Sequence, residues 1–207
     1  MVRRFVKFCA VCAALFFASS IAIVLIYRVA PVRYTPLMLL RKAESFSRGQ
    51  RLEIRHEWVS FKQISPDLVC AVIDSEDAHF YEHGGFSYED MLNAFYRNKR
   101  EGRIVAGGST ISQQTAKNVF CTPARTYTRK LFEGYFTMLI ELFWGKERIL
   151  EVYLNVIELG NGIFGVESAA DEYFSTTAIN LNYRQSEALT TVIPCPRCWN
   201  GWLYGLE

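Results

Sequence analysis

The longest apolar run in the chain comes first: Phe8 to Tyr27, FCAVCAALFFASSIAIVLIY, twenty residues without a charge. A helix needs about 20 apolar residues to cross the hydrocarbon core of a bilayer, so this run predicts a membrane-spanning helix over 8–27. Pro31 and Pro36 punctuate the stretch that follows, RVAPVRYTPLMLLRK. It reads as a juxtamembrane segment over 28–59, with residues 53–66 extended or in a loop. From Asp67 the period turns helical, because Leu68, Val69, Val72 and Ile73 share one face. Ser65 stands where a helix cap belongs, and Pro66 suits the first turn. A helix over about 88–99 carries Met91, Leu92, Phe95 and Tyr96 on one side, and another starts at Ser109 after the Gly-punctuated loop GRIVAGGST. Residues 126–143 hold an apolar band, from Leu131 to Phe143, broad enough to predict burial on most of the helix circumference. An amphipathic helix from Lys146 to Glu158, a break at Gly160 to Gly165, and short helices at 166–173 and about 184–192 complete the pattern. Alternating strand patterns are scarce. The expectation is one mainly α domain over 60–207.

Charge refines the picture of the first run. Arg3, Arg4 and Lys7 precede it, and Arg28 and Arg33 follow. The positive-inside rule favours a cytoplasmic tail over 1–7 by a small margin. The competing reading is a cleaved signal peptide, whose apolar core is usually ~7–15 residues long. Ala18, Ser19 and Ser20 interrupt the run, but Ile21 to Ile26 extend it beyond that length. The anchor is the better reading, and under either one residues 28–207 lie outside the cytoplasm. A net charge of +2 points away from nucleic acid. Of six cysteines, Cys9 and Cys12 fall in the apolar run, Cys70 and Cys121 stand apart, and Cys195 and Cys198 form a CPRC pair. No βαβ pattern surrounds that pair, and outside the apolar run no second CxxC exists for a zinc ribbon. It reads as structural, free or bridged.

Three stretches can carry chemistry. EDAHFYEH (76–83) puts Glu76 where an apolar helix meets a Gly-Gly break, a partly desolvated setting that suits a proton-abstracting carboxylate. His79 to His83 also spells H-x-x-E-H, a zinc-protease pattern, but five-residue patterns recur by chance and this one names no third ligand. GGSTISQQTAKN (107–118) combines glycines with the hydroxyls and free N–H groups of a helix start, an arrangement that can receive an anion. Lys117, Arg125 and Arg129 could add positive charge for a diphosphate. An ordinary capped helix with its amides in water accounts for the same residues equally well. In the third, RKLFE (129–133) and ILEVYLN (149–155), Glu133 could be a plain i, i+4 partner of Arg129, and Glu151 and Asn155 could close a polar surface.

Taken together, EDAHFYEHGGF (76–86), GGSTISQQTAKN (107–118), RTYTRKLFE (125–133) and KERILEVYLNVIELGNGIFGVESAADEYF (146–174) resemble, in order and spacing, the glycosyltransferase domain of bacterial peptidoglycan polymerases. The likeness covers about residues 60–196. With no transpeptidase domain following, it points to the monofunctional biosynthetic transglycosylases. The resemblance implies a lysozyme-like helical lobe with a small, membrane-proximal hydrophobic jaw around 86–106. It also implies an enzyme that elongates glycan strands from lipid II at the outer face of the inner membrane, with the membrane and possible cell-wall or division proteins as partners. By the same resemblance Glu76 is the general base and Glu133 the second catalytic carboxylate, acting directly or through a divalent cation, Mg2+ or Mn2+. Ser109, Thr110, Gln113, Gln114, Lys117, Asn118, Arg125, Arg129 and Lys130 bind substrate, while Glu151 and Asn155 belong to a structural motif. The chain departs from the family at Ser87, where an Asp is usual, and at the Pro194-Cys195-Pro196 turn. It also stops at Glu207, for which a shortened last helix and an incomplete gene model are equal explanations. A glycan hydrolase and a non-catalytic scaffold are the competing functions. Lys117 and Arg125 count against the first, and the four motif blocks against the second.

Overall fold

The computed structural model describes residues 2–103, 107–124, 126–198 and 200–205. The described residues include nine α-helices, three short 3-10 helices and a small three-stranded sheet. The first helix, α1 (Val2–Tyr27), is long and apolar enough to cross a membrane. It begins six residues before the expected span, taking Arg3, Arg4 and Lys7 onto the helix. Most of its surface is exposed, but its second half is not free-standing. Val24 and Ser20 are buried, and the Val24 carbonyl accepts a hydrogen bond from the Trp144 indole at 2.8 Å.

The juxtamembrane segment contains a second helix, α2 (Pro36–Ser47). Its start signal is local. The Thr35 hydroxyl accepts from the Met38 N–H at 3.3 Å, and Pro36 occupies the first turn, where its missing N–H costs nothing. Arg41 then pins α2 to the body of the domain through paired bonds to Glu158, at 2.8 Å from both Nε and Nη2.

The remaining helices are α3 (Pro66–Glu76), α4 (Tyr88–Glu101), α5 (Ile111–Phe120), α6 (Tyr127–Phe143), α7 (Lys146–Val156), α8 (Val166–Phe174) and α9 (Tyr183–Val192). Pro66 begins α3 as expected, but the Ser65 hydroxyl donates to the Leu181 carbonyl at 2.8 Å and does not cap the helix. The core is built round α7, whose Ile149, Leu150, Val152, Tyr153 and Leu154 are all fully buried.

Two expectations are corrected by packing. The helix expected over 146–158 stops at Val156, and Glu158–Gly160 is a strand. This β2 pairs antiparallel with β3 (Ile163–Phe164), which pairs parallel with β1 (Arg55–His56), giving the order β1-β3-β2. Every residue of β2 and β3 is buried, so no alternation of polar and apolar positions marks them in the sequence. Gly165, at φ +79°, ends the hairpin where any Cβ would stand 2.6 Å from the Asn155 carbonyl oxygen. The second correction concerns α6, which buries Glu133, Phe136, Thr137 and Ile140 on one face only. Leu131, Met138 and Leu142 are exposed, as are Met91, Leu92, Phe95 and Tyr96 of α4. The apolar band is broad because α6 has two apolar sides, one in the core and one on the surface next to α1. Rings of Phe16 and Phe17 meet Tyr135 there, at 5.8 and 5.7 Å.

Candidate active site

Glu76 is the last residue of α3, and its neighbour explains why the helix ends there. Asp77 leaves helical geometry at φ −164° and turns its carboxylate into the core. One oxygen accepts from His83 Nε2 at 2.8 Å, and the other from the Ile111 N–H at 2.9 Å. His83 Nδ1 in turn accepts from the Gly85 N–H at 3.0 Å. This brace ties the end of α3 to the start of α5 across 34 residues of sequence. It also uses both ring nitrogens of His83, which leaves none for the zinc that the H-x-x-E-H pattern suggested.

Thr110 caps α5. Its hydroxyl accepts from the Gln113 N–H at 3.1 Å and donates to the Gly85 carbonyl at 2.7 Å. The Gln113 side chain returns to the Thr110 N–H at 3.0 Å, a closed capping box. Both side chains, expected to line a cleft, are buried and bonded to the fold itself. Gln114, Lys117 and Asn118 come next on α5 and behave differently. With Arg129 of α6 and Leu37 and Arg41 of α2 they line a cavity of about 400 Å3. Gln114 joins this cavity to Glu76, since its Nε2 donates to Glu76 Oε2 at 2.7 Å.

The cavity is electrostatically built for an anion. Burial holds the Lys117 ammonium below the usual lysine range, against the opposing pull of Glu133 and Glu76; Arg129 and Lys130 push it further down. Glu133 is only 2% exposed and takes bonds from both Arg129 and Lys130, the latter at 2.5 Å. It is therefore no surface salt-bridge partner. Three cations, Lys117, Arg129 and Lys130, surround one carboxylate. Among the described residues Arg129 Nε is buried without a partner, an unmet donor that a phosphate oxygen could satisfy. Lys130 also donates to Ser109 Oγ at 3.3 Å, which draws Ser109 to this cluster. Arg125 lies outside the described residues. A divalent cation, the alternative route for Glu133, would have to displace Arg129 or Lys130 from that carboxylate. Glu133 has both oxygens engaged, and among the described residues no three His, Cys, Asp or Glu side chains converge.

A family model described as Transglycosylase matches residues 43–203. The chain belongs to the transglycosylase family. It is 49% identical to the biosynthetic peptidoglycan transglycosylase of Bacteroides thetaiotaomicron over 89% of this chain and 74% of that relative. The proteins of the same description from Bdellovibrio bacteriovorus and Caulobacter vibrioides are 49% and 48% identical. Each matches over 88% of this chain, and over 73% and 76% of the relative. The protein is thus an enzyme of glycosyl transfer.

Seen as a transglycosylase, the remaining expected residues divide by position. Asn155 is fully buried. Its Oδ1 accepts from the Val59 N–H at 2.8 Å, and its Nδ2 donates to the carbonyls of Val59 and Glu151 at 2.9 and 2.7 Å. Glu151 pairs with Arg148 at 3.0 Å. Neither lines the cavity. Residues that sequence reasoning missed include Leu37, Arg41 and Glu158, all on the cavity wall. The Thr35-Pro36 start signal of α2 was legible, but the partner of Arg41, 117 residues away, was not. Cys195 and Cys198 form a disulfide, and the prolines on either side of Cys195 also line the cavity. A larger cavity of about 1140 Å3 lies against Met38, Lys42 and Trp58 and contains none of the motif residues.

Proposed function

We propose that this transglycosylase elongates peptidoglycan strands from lipid II, forming β-1,4 linkages and releasing undecaprenyl diphosphate. The single observation that carries the reading is that one side chain, Gln114, joins two unlike groups. Its amide donates to Glu76 at 2.7 Å, and it lines the cavity that Lys117 and Arg129 also line.

In this reading Glu76 takes the proton from the 4-hydroxyl of the acceptor sugar. The freed oxygen attacks the anomeric carbon of the donor chain and inverts it. The departing diphosphate carries the developing negative charge, and Lys117, Arg129 and Lys130 stabilise it in place of a strong acid. Glu133 holds Arg129 and Lys130 in position at that end, with Arg125 expected beside them. Both substrates carry polyprenyl tails, so the reaction belongs at a membrane surface. Helix α1, with the exposed apolar faces of α4 and α6, supports that setting, with α1 as anchor and the domain on the extracytoplasmic side.

The test is conversion of purified lipid II to linear glycan by the full chain in detergent. Glu76→Gln is expected to abolish polymer formation with an unchanged thermal midpoint. Polymerisation at the wild-type rate by that variant would reject Glu76 as the base.

A further inference from the structure

Tyr153 sits in the middle of α7, fully buried. Nothing in its sequence neighbourhood marks it as more than a core aromatic. Its hydroxyl, however, lies 3.2 Å from Gln114 Oε1. The opposite end of that same amide donates from Nε2 to Glu76 Oε2 at 2.7 Å. Three helices, α7, α5 and α3, thus meet in one chain of two hydrogen bonds that ends on Glu76.

The direction of this chain follows from donor and acceptor chemistry. An ionised carboxylate only accepts, so Gln114 must turn its NH2 towards Glu76 and its carbonyl away. The two ends of an amide differ little in shape, so hydrogen bonding decides which way it faces. A carbonyl turned into the core needs a donor, and the Tyr153 O–H supplies it. Burial, with the charges of Glu76 and Asp77 close by, pushes the Tyr153 phenol well above the usual tyrosine range. The group therefore remains an O–H donor at any working pH. With the amide reversed, the lone pairs of its carbonyl would face those of Glu76.

We infer that Tyr153 is a positioning residue for glycosyl transfer, fixing the Gln114 amide in the one orientation that donates a hydrogen bond to the Glu76 carboxylate. The inference rests on Glu76 being the base. It assigns α7 a part in the chemistry as well as in the core.

The test is a double-mutant cycle on lipid II polymerisation by the full chain, with Tyr153→Phe, Gln114→Leu and both together. Tyr153→Phe keeps the ring in the core and removes only the O–H. It is expected to lower kcat roughly five- to tenfold, the kinetic equivalent of one hydrogen bond, with KM unchanged. In the Gln114→Leu background the same change should cost nothing more, because the relay is already cut. Wild-type kcat in Tyr153→Phe, or an equal loss in both backgrounds, would overturn the inference. Should Tyr153→Phe not fold, the side-chain amide of Gln114 in 15N-labelled wild type gives a second measure. Hydrogen exchange slowed relative to exposed glutamines supports a fixed amide, and free exchange refutes it. The Glu76→Gln control separates the two readings. An active Glu76→Gln protein sinks the base itself, whereas an inactive one beside a fully active Tyr153→Phe sinks only the relay.

Discussion

Replacing Asn155 with alanine removes three hydrogen bonds at once from the centre of the molecule. Two of them satisfy the backbone of Val59, whose N–H and carbonyl both face the Asn155 amide at 2.8 and 2.9 Å. The third goes to the Glu151 carbonyl one turn back on the same helix. A lost bond costs about 1 kcal/mol net, and a buried group left without a partner about 1–3 kcal/mol. Glu151 keeps its helical partner, so the full penalty falls on the two Val59 groups alone, and the sum is about 3–7 kcal/mol. For a chain of this size each kcal/mol moves the melting temperature by about 2–4 °C, so Asn155→Ala should melt roughly 6–28 °C below wild type. Circular dichroism in detergent at fixed protein concentration measures it. The fraction that remains folded at low temperature should polymerise lipid II at a near-normal rate, because Asn155 does not line the cavity. A fall of less than about 3 °C would refute the bond accounting. Normal stability with lost activity would move Asn155 from the scaffold to the chemistry. Asn155→Asp adds a sign test. Facing the carbonyls of Val59 and Glu151, the new carboxyl is held protonated, so its folded pKa is raised above the unfolded value. Its contribution is then present at low pH and lost as pH rises through the folded pKa, making this variant less stable at pH 7 than at pH 5.

Other consequences follow for the charged end of the cleft and for the thiols. Glu133→Gln removes the negative charge that pulls the Lys117 pKa upward against burial. The Lys117 pKa should therefore fall further, and the alkaline limb of the pH–rate profile should move to lower pH, with kcat reduced more than KM. An alkaline limb that stays in place would break the proposed coupling between Glu133 and Lys117. Burial pushes the Cys121 thiol up to about 11, so at pH 8 on the order of one in a thousand of these groups is thiolate. In a Cys9→Ser, Cys12→Ser background a maleimide at pH 8 should label exposed Cys70 and leave Cys121 unmodified, as read by intact mass. Equal labelling of both would show that the cavity wall opens.

The sequence by itself determined the elements whose signals are local. The apolar run that becomes α1 needs only length, and α3, α5 and α9 follow from helical periods with starts near the expected residues. Glu76 at a helix end was equally legible, because an apolar face meeting a Gly-Gly break is written within ten residues. Tertiary structure decided everything that depends on a distant partner. Glu133 reads alone as a surface ion-pair partner, and only the packing of α6 buries it between Arg129 and Lys130. Thr110 and Gln113 read as cleft residues beside Gln114, yet the capping box consumes both. The three-stranded sheet left no alternating pattern because its β2 and β3 strands are buried on both faces. Tyr153 is indistinguishable from a core aromatic until α5 and α3 are brought against it. The division has one cause: helix caps, turns and membrane spans are set by neighbours along the chain, whereas burial and hydrogen-bond direction are set by neighbours across the fold.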